Sequence, residues 1–130
     1  MPSSMKNLAL ALLLASACLC AQSADVSIPT GRYGKFEYNS ESGDLLGIEL
    51  ELIRGRSGYF VLFQAAQGER EDPVLVPAKV SGLSVEIVVP AGANYSGTLT
   101  ATLKGKALEA KFANGQLSPS GEKVFKLQKR

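Results

Sequence analysis

The pattern of hydrophobic and polar positions makes Leu45 to Gly68 the longest and most apolar β-hairpin of the chain. Ile48, Leu50 and Leu52 alternate with Glu49 and Glu51, the period of two that marks a strand with one buried face. Arg54-Gly55-Arg56-Ser57-Gly58 supplies turn chemistry. The return strand, Tyr59 to Ala65, is apolar on both faces. A turn over residues 55–58 pairs Leu52 with Val61 and Leu50 with Phe63, which leaves Phe60 and Leu62 outside beside Glu49 and Glu51. A slip of one residue exchanges the two faces, and either register leaves large apolar side chains on the outside. Those side chains are either covered by another segment or form a contact patch.

Shorter segments repeat the format. The pattern predicts an extended lead-in over residues 25–30, then a strand over 32–38 with Phe36 and Tyr38 on one face. A polar loop follows over 39–44, and a charged connection over 68–73. Val74, Val76 and Val80 share a face of the next strand, where Pro77 predicts an edge or bulged position. Leu83, Val85, Ile87 and Val89 alternate with Ser84 and Glu86. Between Tyr95 and Leu103, Leu99, Ala101 and Leu103 oppose Thr98, Thr100 and Thr102. Leu108, Ala110 and Phe112 form another face, a loop runs through Asn114-Gly115 to Gly121, and Val124 to Gln128 is the last strand. No window holds helical periodicity. The expectation is an all-β domain: a single antiparallel up-and-down β-barrel of about eight strands, closed so that no edge is exposed.

The first 24 residues read differently. Lys6, the apolar run Leu8 to Leu19, and Ala21-Gln22-Ser23-Ala24 make a secretory signal peptide, with a run too short to cross a membrane. Cleavage after Ala24 leaves 25–130 as one β-barrel domain, periplasmic or secreted. Ala15-Ser16-Ala17-Cys18 also approaches a lipoprotein box, so lipid anchoring at Cys18 is the alternative. Cys18 and Cys20 are the only cysteines, so the mature chain has neither a disulfide nor a thiol nucleophile.

The chemistry is narrowed by what the chain lacks. It contains no histidine, which removes histidine acid–base catalysis, Ser-His-Asp triads and the usual zinc and copper sites. No Gly-rich phosphate loop leads into a helix. Glu49 and Glu51 read as solvated strand residues. Glu69, Glu71 and Asp72, like Glu41 and Asp44, read as acidic turns before they read as cation sites. Asn94-Tyr95-Ser96 fits a glycosylation pattern by chance in a chain whose signal peptide looks bacterial. The chain is therefore read as non-enzymatic, with no cofactor and no metal.

Charge is unevenly distributed. Residues 25–103 carry six basic and ten acidic groups, whereas 104–130 carry seven basic and two acidic. Lys123, Lys126 and Lys129 are the candidate contacts for an anionic membrane surface, with Arg32 and Lys35 beside them if the barrel closes. The alternative is a solvated face. Nucleic acid is not expected, because the basic run holds no interleaved aromatics.

The mature region resembles small secreted meander barrels of the lipocalin and avidin type, the calycin-like group. Where lipocalins carry Gly-x-Trp, this chain reads Gly31-Arg32-Tyr33 or Gly34-Lys35-Phe36, and it has no tryptophan. Glu41 to Gly47, Gly58-Tyr59 and Pro73 to Pro77 resemble uncharacterised small secreted proteins of proteobacteria, a group that brings no site residues with it. An eight-stranded barrel has room for packed side chains or one small ligand, so the leading expectation is a binding protein for a small apolar ligand, with Val61, Phe63, Leu99, Leu103 and Phe112 lining the interior. The competing expectation is a protein-interaction or inhibitor module that uses the outer face and loops of the 45–68 hairpin. A filled interior favours the module and an open apolar one the carrier.

Overall fold

The computed structural model describes residues 27–92 and 94–130; the expected signal peptide over residues 1–24, with Cys18, lies outside the described residues. Eight antiparallel strands follow one another in a single sheet, in the order of the chain. They are β1 (Gly31–Tyr38), β2 (Leu45–Gly55), β3 (Gly58–Arg70), β4 (Val74–Ser81), β5 (Ser84–Val89), β6 (Gly97–Lys104), β7 (Ala107–Phe112) and β8 (Phe125–Gln128). The sheet curls into a nearly closed up-and-down barrel. Tyr33 bridges Lys129, and the Arg130 N–H donates to the Arg32 carbonyl at 2.9 Å.

The central hairpin has the expected register. Leu52 faces Val61 and Leu50 faces Phe63, while Phe60 and Leu62 fall outside. Its turn needs only Arg56 and Ser57, because Gly55 and Gly58 still pair. The barrel interior follows the period-two faces: Ile48, Leu50, Leu52, Val61, Phe63, Val76, Val85, Ile87, Leu99, Ala101, Leu108 and Ala110 are buried in one cluster. Three rings add to it, with Tyr95 6.3 Å from Phe112 and Phe112 6.0 Å from Phe125.

Several sequence expectations are corrected. On β1 the inward residue is Tyr33, which is fully buried and donates its hydroxyl to the Pro29 carbonyl at 2.7 Å. Phe36 points outward beneath the Arg70 guanidinium, 4.9 Å away, and Tyr38 is 70% exposed. The cause is a polar step in the pattern: Arg32 and Lys35 conceal the alternation that Tyr33 belongs to. β3 runs on to Arg70, because Leu45 and Leu46 extend β2 and pair with Gly68 and Gln67. β4 is an interior strand, not an edge; its ladder to β5 begins at Ala78, the residue after Pro77, whose ring leaves no N–H to donate. Leu83 lies in a turn and is exposed, so β5 starts at Ser84.

Gly34 and Gly47 let β1 and β2 approach closely. Both have positive φ, 91° and 146°, and a Cβ at either would come within 2.2 Å of the Ile48 carbonyl oxygen or 2.3 Å of that of Lys35. Glycine at such a corner permits the sharp coiling that a small barrel demands. Just above Gly34, β1 and β8 part company. Closure is near, not complete, and a groove of about 140 Å³ follows the gap, lined by Lys35, Glu37, Ser118, Pro119 and Phe125 among others.

Candidate functional site

The five expected lining residues do face inward. Val61, Phe63, Leu99 and Phe112 are buried, and Leu103 is half-buried against the same cluster. They do not line a ligand space. Val61, Phe63, Leu99 and Phe112 are at most 3% exposed. The best-formed depressions among the described residues all open on the outside, and none of them is lined by any of the five. Side chains from all eight strands fill the barrel, as an eight-stranded barrel allows.

The basic end is dispersed by its own strand. On β8, Phe125 and Leu127 are buried while Lys126 is exposed and faces Glu109 on β7. Lys129 turns away: its Nζ donates to the Thr30 carbonyl at 3.2 Å and lies 5.4 Å from the centroid of the Tyr33 ring. Lys123 is exposed in the loop before β8. The structure therefore does not gather Lys123, Lys126 and Lys129 into one stripe. Arg32 pairs with Glu51 at 3.6 Å and Lys35 with Glu37 at 3.1 Å. A different trio meets instead: Lys104, Lys106 and Lys126 border one shallow depression with Glu109, which Lys104 contacts at 3.3 Å.

The acidic turns are likewise spoken for locally. The Asn39 side-chain oxygen accepts the Glu41 N–H, and Asn94 Nδ2 donates to Glu71 Oε1. Among the described residues no three acidic groups converge as metal ligands would.

What the fold does assemble is apolar and external. On the outer face, Ile53 faces Phe60, and Phe60 faces Pro77. The β4–β5 register set by Ala78 opposite Ile87 brings Val88 alongside Pro77. These four residues make a row across four strands. One step along, Leu62 faces Leu75. Leu75 is 63% exposed, Val88 60% and Ile53 39%, while Phe60 and Leu62 are half-buried by their neighbours. Charged and polar groups frame the row. Lys79 faces Glu86 on one side, and Glu51, Gln64 and Arg70 border a shallow depression beside Leu62 on the other. An apolar centre with a polar rim is the anatomy of a protein-binding surface. Sequence reasoning located Phe60 and Leu62 but missed Ile53, Leu75, Pro77 and Val88. Their signal was visible only as apolar residues on the wrong side of the alternation in β2, β4 and β5.

No family model matches the chain, and no curated protein or solved structure does either.

Proposed function

We propose that this chain is an exported, non-enzymatic protein-interaction module that binds a partner protein through the outer face of β2 to β5. The observation that carries this reading is the row Ile53, Phe60, Pro77 and Val88 with Leu75 beside it, apolar side chains left in water on a barrel whose own core is complete. Isolated exposed apolar residues need no explanation, but a contiguous set that crosses four strands does. The filled interior supports the module over the small-ligand carrier, which requires a cavity. Export rests on the secretory pattern of the first 24 residues.

The test places a photo-crosslinking side chain at Leu75 and, in a separate sample, at Thr100 on β6, outside the row beyond Glu86 of its rim. In the exported fraction of the source cells, Leu75 is expected to yield a discrete adduct and Thr100 none. Excess unlabelled wild type should suppress the adduct, and the variant Val88→Asp should not. An adduct equally strong from Thr100, or one that Val88→Asp suppresses as well as the wild type does, defeats the reading. Release of a stoichiometric small apolar molecule on denaturation restores the carrier.

A further inference from the structure

The up-and-down order sends alternate connections to opposite ends of the barrel. The lead-in to β1, the turns after β2, β4 and β6, and the tail after β8 share one end, as the pairs Gly31–Leu52, Gly55–Gly58, Ser81–Ser84, Lys104–Ala107 and Ala107–Gln128 require. Among the described residues of these connections (27–32, 53–59, 80–85, 103–108 and 128–130) every charged side chain is basic. Arg32 stands at the start of β1, Arg54 and Arg56 in the turn after β2, Lys104 and Lys106 in the turn after β6, and Lys129 and Arg130 in the tail, all of them exposed. The other end is the reverse. Glu41 and Asp44 lie between β1 and β2, Glu69, Glu71 and Asp72 around the β3–β4 connection, and Glu122 before β8, with Arg70, Lys111 and Lys123 to oppose them.

Carboxylates on the barrel wall take up part of the basic charge. Glu51 pairs with Arg32 at 3.6 Å, Glu109 with Lys104 at 3.3 Å and Glu49 with Arg130 at 2.9 Å. Among the described residues no carboxylate pairs with Arg54, Arg56, Lys106 or Lys129. Arg54 donates to the Tyr59 hydroxyl and Lys129 to the Thr30 carbonyl, both neutral acceptors that leave the charge in place. A cationic end and an acidic end give the barrel a charge axis, which turns the cationic end towards any anionic surface. The tips of this end are bare: a Cβ on Gly58, Gly82 or Gly105 would meet nothing within 4 Å. Leu83 stands at the middle tip, 39% exposed, and its carbonyl accepts the Leu103 N–H at 2.8 Å, which fastens it beside the lysine turn. Cations around an exposed apolar side chain match a phospholipid surface, with phosphates outermost and acyl chains beneath. We propose that the chain docks end-on against an anionic phospholipid bilayer, with Arg54, Arg56, Lys106 and Lys129 at the headgroup phosphates and Leu83 at the interface. With the barrel upright on such a surface, the β2–β5 wall stays in water.

Co-sedimentation with vesicles tests it. The wild type is expected to bind vesicles of phosphatidylglycerol mixed with phosphatidylcholine and to ignore phosphatidylcholine alone, and salt should weaken the binding. Each basic residue near an anionic surface contributes about fivefold, so the double variant Arg56→Gln/Lys106→Gln should bind about twenty-five-fold more weakly. Circular dichroism should show its barrel intact, because exposed turn residues contribute little to stability. Lys111→Gln/Lys123→Gln makes the same change in net charge at the other end and should bind as the wild type does. Leu83→Ser should weaken binding without altering its dependence on salt. A wild type that ignores the anionic vesicles at low salt overturns the proposal. So does an equal loss in the two double variants, which would mean that net charge alone acts and no end is preferred. Tighter binding to heparin than to the vesicles, with Leu83→Ser unchanged, gives this end to a soluble polyanion and overturns it as well.

Discussion

Tyr33 and Lys129 hold the ends of the sheet together. Their backbones bridge β1 to the residue after β8, and the Lys129 ammonium lies 5.4 Å from the Tyr33 ring centroid. The same ring fills the core, and its hydroxyl reaches the Pro29 carbonyl. One side chain thus serves the core, the seam and the anchoring of the lead-in. A cation over an aromatic face adds roughly 0.5–2 kcal/mol to such a junction.

Burial holds the Tyr33 phenol above its ordinary ionisation range, and Tyr95 is raised as well, by burial first and then by the nearby Glu71 carboxylate. The folded chain therefore keeps these protons at a pH where the unfolded chain gives them up. Above about pH 10 the unfolded state binds fewer protons, and stability falls as pH rises towards the folded-state values. Urea unfolding at about pH 9 and about pH 11 should show this loss. Tyr33→Phe should cost about 1 kcal/mol at neutral pH through the lost hydrogen bond, and flatten the alkaline decline. An unchanged alkaline slope in Tyr33→Phe would show that Tyr33 does not contribute to it.

Gly34 and Gly105 both have positive φ, but their surroundings differ. A Cβ on Gly34 meets the Ile48 carbonyl oxygen at 2.2 Å, whereas one on Gly105 meets nothing within 4 Å. Gly105→Ala should cost about 1 kcal/mol, the conformational term alone, and Gly34→Ala about 2–4 kcal/mol. Thermal unfolding of the two variants decides it. Equal losses mean that β1 and β2 separate at that corner at little cost.

Leu99 and Thr100 are neighbours on opposite faces of β6, the first 1% exposed and the second half-buried outside. Leu99→Ala should destabilise the fold by about 2–5 kcal/mol through the cavity it leaves. Thr100→Ala should change stability by less than about 0.5 kcal/mol. Denaturant midpoints report both, and a comparable effect at the two positions contradicts the inward assignment of Leu99.

Arg130 reaches Glu49 at 2.9 Å across the seam, with the guanidinium side chain 53% exposed and the carboxylate side chain 18%. Half-exposed pairs are worth little, so Glu49→Gln should cost at most about 1 kcal/mol, and salt should shrink the difference. Hydrogen exchange is the sharper measure. Faster exchange in β8 with β5 unchanged is expected, because the pair restrains only the seam. Uniformly faster exchange would mean the pair supports the whole barrel.

The period-two pattern by itself determined the all-β class, the number and order of strands, and the register of the central hairpin. Those features depend on neighbours along the chain: alternation sets a strand, glycine and polar clusters set its ends, and turn length sets which residues pair. The inward faces of β2, β3, β5, β6 and β7 were legible for the same reason. Only the tertiary structure decided that Tyr33, not Phe36 or Tyr38, enters the core, because the direction of β1 depends on the corner at Gly34 and on where Lys129 arrives. It also decided that the lining residues meet with no space between them, since packing depends on how eight faces interdigitate. Lys123, Lys126 and Lys129, a run in sequence, were scattered by strand alternation and the local partners of Lys129. Ile53, Phe60, Pro77 and Val88, far apart in sequence, were drawn into one row by lateral pairing, which fixes contacts that no single strand encodes.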